Sequence, residues 1–323
     1  MDNNSLVYAI VLNYKVARDT LECVTSIASS DYKKIKILVI DNDSRDDSNV
    51  EINEGIQALD ASGLVSSVDY EGFKSEGFIR NLPEIYFCET EFNMGFAGGV
   101  NFGLEKIPLL EGGYILIINP DVVVDSRAVS ELLNSAKSGV RKSVFGCVTK
   151  YFYGDNLIES VGGAAISRLT GTVNLAKSIE DRIDYICGGA VFFGTHCLKE
   201  VGGLPEDYFL YWEDADWSLK ALGLGYELSV CEDAVVYNKG GTSIGRGYLA
   251  NYYYAINGLR FFKKHKYFYW HVVLLNLTVR TAKKIMICRL DHAKAIFFGT
   301  LDFVFDSMSH DPVEKKKRKG AEV

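Results

Sequence analysis

Apolar positions along the first half of the chain switch repeatedly between two spacings. Residues 7–12 and 35–40 are apolar runs of strand length, and between them Leu21, Val24, Ile27 and Ala28 recur at the spacing of one helix face. Ser44, Asp46 and Asp47 can cap a helix after the second run. Residues 60–82 carry Gly and Ser without a clear period and read as an insertion or long loop. A third strand follows at 85–88, then a helix at 96–107 opened by a glycine-rich turn. Tyr114–Ile118 reads as a fourth, buried strand, with a helix near 126–138. This β-α-β alternation predicts a mostly parallel sheet with right-handed crossovers.

Beyond Ser143 the pattern mixes. Strands are predicted at 144–149 and 184–193, and a helix from 213 to 222 is ended by Gly223 and Gly225. Residues 248–305 read as helical, dense in aromatic residues and mixed with Lys and Arg. No window approaches the ~20 apolar residues that span a bilayer. No internal repeat emerges, and the chain closes on Lys315-Lys316-Lys317-Arg318-Lys319, a tail expected to be disordered.

Composition narrows the classes. With 323 residues, 48% of them hydrophobic, the chain can bury a large core as one domain or one domain with an appendage. A net charge of −7 argues against general nucleic-acid binding. The contrast between acidic body and basic tail points to an anionic surface as partner. Seven scattered cysteines lack Cys-x-x-Cys spacing, which disfavours a zinc site or disulfide framework and fits reduced thiols in cytosol. Residues 7–12 are too short for a signal peptide.

Four polar segments carry candidate chemistry, and the first three follow β-branched runs. They should therefore lie at carboxyl ends of strands, where open α/β sheets bind ligands. Asp41, in Asp41-Asn42-Asp43-Ser44, can accept a hydrogen bond from the imide N–H of uracil or thymine, or cap a turn. Asn13 and Tyr14 can line the same base pocket, or be loop residues. The segment from Asn93 through Gly95 and Gly99 to Asn101 offers backbone N–H groups to an anion, or a tight strand-to-helix turn. It is neither a dinucleotide fingerprint nor an ATP-binding P-loop, so a nicotinamide dehydrogenase is disfavoured.

Asn119-Pro120-Asp121 places a carboxylate at a strand tip, where one Asp is enough to hold a hard cation together with a diphosphate; a turn residue is the alternative. Asp125 can help or cap the next helix. Tyr211-Trp212-Glu213-Asp214-Ala215-Asp216-Trp217 sets three acids beside two indoles. Asp214 can act as general base toward a sugar hydroxyl, with Glu213 beside it, and Trp212 or Trp217 can stack on a sugar ring; helix capping is the alternative. Asp216 can pair with Lys220 one turn on. Arg246, in a glycine-rich loop, can bind diphosphate or be solvated. The five histidines form no metal spacing.

Taken in order, five stretches resemble family 2 inverting glycosyltransferases, particularly rhamnosyltransferase-like members of bacterial polysaccharide and O-antigen assembly. They are Val11-Leu12-Asn13-Tyr14, Val39-Ile40-Asp41-Asn42-Asp43-Ser44, Asn93 to Gly103, Ile118-Asn119-Pro120-Asp121-Val122 and Phe209 to Trp217. The resemblance covers roughly residues 6 to 262. It implies an A-type glycosyltransferase fold, an α/β Rossmann-like mixed sheet flanked by helices, with a C-terminal helical extension. It also implies a nucleotide-diphosphate sugar donor and Mg²⁺ or Mn²⁺. Asp41 would contact the base, Asp121 would serve the metal-diphosphate and Asp214 would be the base. The family often has a His before its Gly-Gly-Thr-Ser-like stretch, where this chain has Tyr237-Asn238-Lys239; many members carry Arg before the Asn equivalent to Asn257, where this chain has Ile256.

The expected organisation is a catalytic domain over 1–245, a helical region over 246–310 and a basic tail over 311–323. The expected acceptor is a glycan or lipid-linked oligosaccharide, with peripheral contact to the cytoplasmic membrane face and a homo-oligomer as an open option. A sugar nucleotidyltransferase and a non-catalytic glycan-binding or scaffold protein are the other classes. The first wants a glycine-rich loop with Arg or Lys after the first strand, which residues 11–18 do not supply.

Overall fold

Every residue of the first strand, β1 (Val7–Asn13), is buried, because the strand is covered on both faces. Val7, Ala9 and Val11 join one hydrophobic cluster, while Tyr8, Ile10 and Leu12 join a second on the opposite face. That is the two-residue alternation of a strand sandwiched between layers. The computed structural model describes residues 5–68, 82–139, 142–187, 189–240, 247–265, 270–307 and 310–311.

After β1 come α1 (Ala17–Ala28), β2 (Ile35–Asp41), α2 (Ser48–Ala61), β3 (Ser66–Ser67), β4 (Glu84–Glu89), α3 (Gly95–Leu104) and β5 (Tyr114–Ile118). Then follow β6 (Val122–Val124), α4 (Ala128–Ser138), β7 (Ser143–Tyr151), β8 (Ile158–Val161), β9 (Gly163–Ile166), β10 (Val173–Leu175), β11 (Tyr185–Ile186) and β12 (Ala190–Gly194). The chain continues through α5 (Thr195–Val201), α6 (Glu213–Gly223), β13 (Glu227–Asn238), α7 (Tyr248–Lys264), α8 (Trp270–Met286) and α9 (Leu290–Val304).

Among the described residues the main sheet runs β3-β4-β2-β1-β5-β12-β7-β13-β6, with β8 paired to β7. The first five strands are parallel, as the alternation predicts. The rest is mixed: β12 runs antiparallel to β5 and β7, β13 parallel to β7, and β6 antiparallel to β13. The mostly parallel expectation therefore holds for one half only. Helices α1, α2 and α4 cover one face, while α3 and α6 cover the other. Gly99 and Gly103 let α3 lie close on the sheet, since a Cβ on Gly99 would sit 2.6 Å from Leu12 and one on Gly103 2.8 Å from Ile40.

Two compact units divide the chain. The first comprises Met1–Ala165, Leu175–Glu206 and Asp214–Ser243 and holds the sheet. The second comprises Ile166–Asn174, Asp207–Glu213 and Ile244–Val323. Its helices α7, α8 and α9 pack on one another, and α9 approaches α7 closely at Gly299, where a Cβ would meet the Tyr252 carbonyl at 2.6 Å. The basic tail lies outside the described residues.

Candidate active site

The carboxyl end of β2 is a closed polar knot. Asp41 Oδ1 accepts from Asn13 Nδ2 at 2.6 Å and Ser44 Oγ at 2.5 Å, and its Oδ2 accepts from the Ser44 N–H at 3.1 Å. Asn13 Oδ1 in turn accepts from Thr20 Oγ1 at 2.8 Å and the Val16 N–H. Both side chains are buried, so Asn13 fixes β1 to β2 with its whole amide rather than offering it to a ligand. Tyr14 is half-buried, with the Lys15 ammonium 5.6 Å from its ring centre. Lys15, Asp43 and Arg45 take left-handed φ values of 62°, 56° and 52°, so this loop is tightly turned.

A second knot ties that loop to the glycine-rich turn. Asn42 donates to Asn93 Oδ1 and the Gly95 carbonyl, and its Oδ1 accepts from the Met94 N–H at 3.0 Å. Gly95 has φ +74°, and its N–H donates to Asn93 Oδ1 at 2.9 Å. The amides of Met94 and Gly95, expected to face an anion, therefore serve an internal cap. Asn101, expected among the donor contacts, instead clasps Leu204 through its N–H and carbonyl, both at 2.8 Å, and bonds Glu206 at 2.7 Å. These roles were invisible in sequence because the partners lie 52 and 103 residues away.

The strand tip after β5 has a different character. Asp121 is buried, and its backbone carbonyl accepts the Lys239 N–H at 3.0 Å. Asn119 lies beside Gly189, whose carbonyl accepts its N–H at 3.0 Å, while Asn119 Oδ1 is buried without a hydrogen-bond partner among the described residues. An orphaned amide oxygen two residues from a carboxylate is a costly arrangement unless a cation or a ligand N–H completes it. Two hard oxygens on a rigid tip fit a divalent cation whose remaining ligands are water and phosphate. No group of three or more His, Cys, Asp or Glu suited to a metal occurs among the described residues.

Lys239, where the family often has a His, is committed elsewhere. Its ammonium is held by Asp19 at 2.7 Å and Glu22 at 2.6 Å, both on α1. Burial would depress its pKa, but these two carboxylates outweigh that and raise it. A lysine so charged cannot ligate a metal.

Of the three acids opening α6, Glu213 and Asp216 are buried and Asp214 is partly exposed. Asp214 Oδ1 accepts the Ala215 N–H at 2.8 Å. Asp214 also borders a small cavity of about 10 Å³ with Phe96 of the glycine-rich turn and Ile117 of β5. That volume is too small for a sugar, but it joins three predicted segments at one place. Burial, reinforced by the charge of Asp214, pushes up the thiol of Cys187, two residues from Gly189. The Gly189 carbonyl in turn accepts the Asn119 N–H.

The indoles divide. Trp217 is buried, packs its ring 5.0 Å from Phe193 and donates to the Gly202 carbonyl at 2.8 Å. Stacking on an acceptor sugar is corrected here, because the ring is a core residue holding α6 to the sheet. Trp212, in the second unit, is buried against Phe261 and Phe262 and donates to the Tyr254 carbonyl at 3.2 Å. It still forms part of the wall of a 300 Å³ pocket with Tyr254, Asn276 and Arg280. Gly258 lies against its indole at a distance that would leave a Cβ 3.2 Å away. Asn257 donates to the Leu210 carbonyl at 2.8 Å, and Ile256 beside it is fully buried. Arg246 lies outside the described residues.

A twisted sheet whose parallel half ends in Asp41 and Asn119, continued by antiparallel strands and flanked by helices, defines an A-type glycosyltransferase fold. Residues 8–197 match glycosyl transferase family 2, and the chain belongs to that family. Over 154 residues it is 21% identical to the low-salt glycan biosynthesis hexosyltransferase Agl10 of Haloferax volcanii, covering 46% of this chain. The match spans half the length of that curated relative, 50% of it. The fold is similar to the mannosyltransferase PcManGT from Pyrobaculum calidifontis, solved with GDP-Man and Mn²⁺, at TM-score 0.58 and 14% identity over 94% of this chain and 89% of that one. It is also similar to S. aureus TarS 1-349 in complex with UDP-GlcNAc, at TM-score 0.53 and 17% identity over 79% and 64%.

Proposed function

We propose that this chain is an inverting glycosyltransferase that moves a hexose from a nucleoside-diphosphate donor to a hydroxyl of a growing, lipid-linked cell-surface glycan at the cytoplasmic membrane face. L-Rhamnose is the sugar favoured by the motif likeness. The observations that support the reading are the Asp41 knot at the end of β2, the unpartnered Asn119 Oδ1 two residues from Asp121, and the partly exposed Asp214, which borders one small cavity with Phe96 and Ile117.

Asp121 and Asn119 Oδ1 are the groups that would hold Mg²⁺ or Mn²⁺. When bound there, such a cation offsets charge on the departing nucleoside diphosphate. The chain's own residues do the rest. Asp41, fixed by Asn13 and Ser44, would meet the base N–H through the lone pair its Oδ2 keeps beside the Ser44 N–H. Asp214 takes the proton of the acceptor hydroxyl as its oxygen bonds to the anomeric carbon and the bond to the diphosphate oxygen breaks on the opposite face. Glu213, the first residue of α6, is buried. Within the second unit, Trp212 and Tyr254 wall an aromatic pocket of the kind that takes a sugar ring.

The test is a thermal-shift panel of UDP-, dTDP- and GDP-sugars on the full chain and on Asp121→Ala, with and without Mg²⁺ or Mn²⁺. One donor class is expected to raise Tm by several degrees with metal present. Asp121→Ala should lose the metal-dependent part. If no nucleotide sugar shifts the wild type in any arm, the reading fails.

A further inference from the structure

Helices α8 and α9 leave rows of large apolar side chains in water. On α8, Leu275, Val279, Ala282 and Met286 follow one another at four-, three- and four-residue steps, which puts them on one face, and all are exposed. On α9, Leu290, Phe297 and Val304 recur every seven residues and are likewise exposed. The turn joining the helices concentrates the effect. Met286 is 81% exposed, Ile287 63%, Leu290 55% and Ile285 52%. Single exposed apolar residues are ordinary, but a contiguous group of this kind marks an interaction surface.

The turn is built rather than frayed. Ile287 and Arg289 donate their N–H groups to the carbonyls of Lys283 and Lys284, and Cys288 donates to Ile285 while taking φ 56°. This is a capped helix end that holds its side chains outward. Around it, residues 280–294 carry Arg280, Lys283, Lys284, Arg289 and Lys294 against the single acid Asp291, in a chain whose net charge is −7.

That charge selects the occupant. A second copy meeting this surface symmetrically would bring like charges together. Anionic lipid headgroups complement them, and acyl chains accept the apolar tip. No described helix is long and apolar enough to cross a membrane, so the contact is interfacial. We propose that the α8–α9 turn is a membrane-docking element, which inserts Ile285, Met286, Ile287 and Leu290 into an anionic lipid surface and sets Lys283, Lys284 and Arg289 among the headgroups. The proposed function supplies only the reason for docking, through its lipid-linked acceptor.

The test is flotation of the full chain with vesicles of phosphatidylcholine alone or mixed with phosphatidylglycerol. Wild type is expected to float with the mixed vesicles and to be released by high salt. The double variant Met286→Asp/Ile287→Asp should lose about tenfold or more of the bound fraction, and Lys283→Gln/Lys284→Gln about tenfold. Equal flotation of wild type and the apolar variant overturns the proposal. So does a dimer seen by sedimentation without lipid that the apolar variant converts to monomer while its flotation stays intact. Both variants should keep the donor-induced thermal shift of wild type, so loss of docking and failure of the glycosyltransferase reading give separate signals.

Discussion

Asp214 differs from its neighbours in access, which is why the proposed function assigns the proton transfer to it rather than to them. Glu213 and Asp216 are buried, so replacing them disturbs packing, whereas Asp214 is partly exposed. Asp214→Asn is expected to lower kcat by about 10²–10⁴ while leaving donor affinity unchanged, because general-base help is lost and little else. Rapid-quench turnover alongside donor titration checks both halves, and wild-type turnover in this variant would remove the assignment. Asn42 carries the opposite expectation. Its amide links Asn93, Met94 and Gly95, so Asn42→Ala should cost about 1–3 kcal/mol of stability, read by urea unfolding. The residue types of these segments were legible in sequence, since strand-end Asn and Asp stand out after β-branched runs. Which of them are tied up inside the fold was not. An asparagine left with an unpartnered oxygen and one that holds a loop look alike until the distant partner is known.

Elements were legible where the period was long and undisturbed. β5 was expected at Tyr114–Ile118 and lies there, and α6 and the strands β1, β2 and β4 fall within a residue or so of expectation. β3, β6, β8, β9, β10, α5 and β13 were missed, and the strand expected at 184–193 is two, β11 and β12. β6 is only three residues long, and β13 mixes exposed and buried positions without clean alternation. β2 hid a subtler feature. Its apolar run contains Lys36, which is fully buried because parallel register sets it beside Glu84 on β4, with Nζ 3.5 Å from the carboxylate. Burial lowers the lysine pKa, with Glu84 opposing. Tyr86 donates to the same carboxylate at 2.5 Å. Removing one member strands the others, so Glu84→Leu should cost about 3–5 kcal/mol. The triple variant Lys36→Met/Glu84→Leu/Tyr86→Phe should recover most of that loss, because an apolar replacement leaves no buried charge behind. Denaturant midpoints for the two proteins decide it; equal loss in both would mean the network is not a self-contained group.

At the scale of the whole chain, helices over residues 248–305 were expected from the pattern, and α7, α8 and α9 lie there, but what locks them together was not legible. Their apolar positions announce helices, while the lock is polar and depends on side chains brought together only by folding. Asp302 of α9 accepts from Tyr252 of α7 at 2.7 Å, from Ser307 Oγ at 2.9 Å and from the His310 N–H at 2.9 Å, with His310 Nδ1 2.8 Å away. Burial alone would raise this carboxyl, but the hydrogen bonds from His310, Tyr252 and Ser307 outweigh it and hold the pKa at about 2, below the ordinary 3.8. A carboxyl depressed in the folded state contributes stability above its unfolded pKa and loses it as pH falls. The contribution, about 2 kcal/mol at neutral pH, should therefore persist down to about pH 4 and disappear toward pH 2. Asp302→Asn should remove it at pH 7 and flatten that part of the acid titration. Helical circular dichroism followed through acid unfolding reads the loss, since α7, α8 and α9 all belong to the second unit. A variant that unfolds along the wild-type acid curve would show that α7 and α9 are held by their apolar contact alone, with Gly299 rather than Asp302 setting how closely they approach.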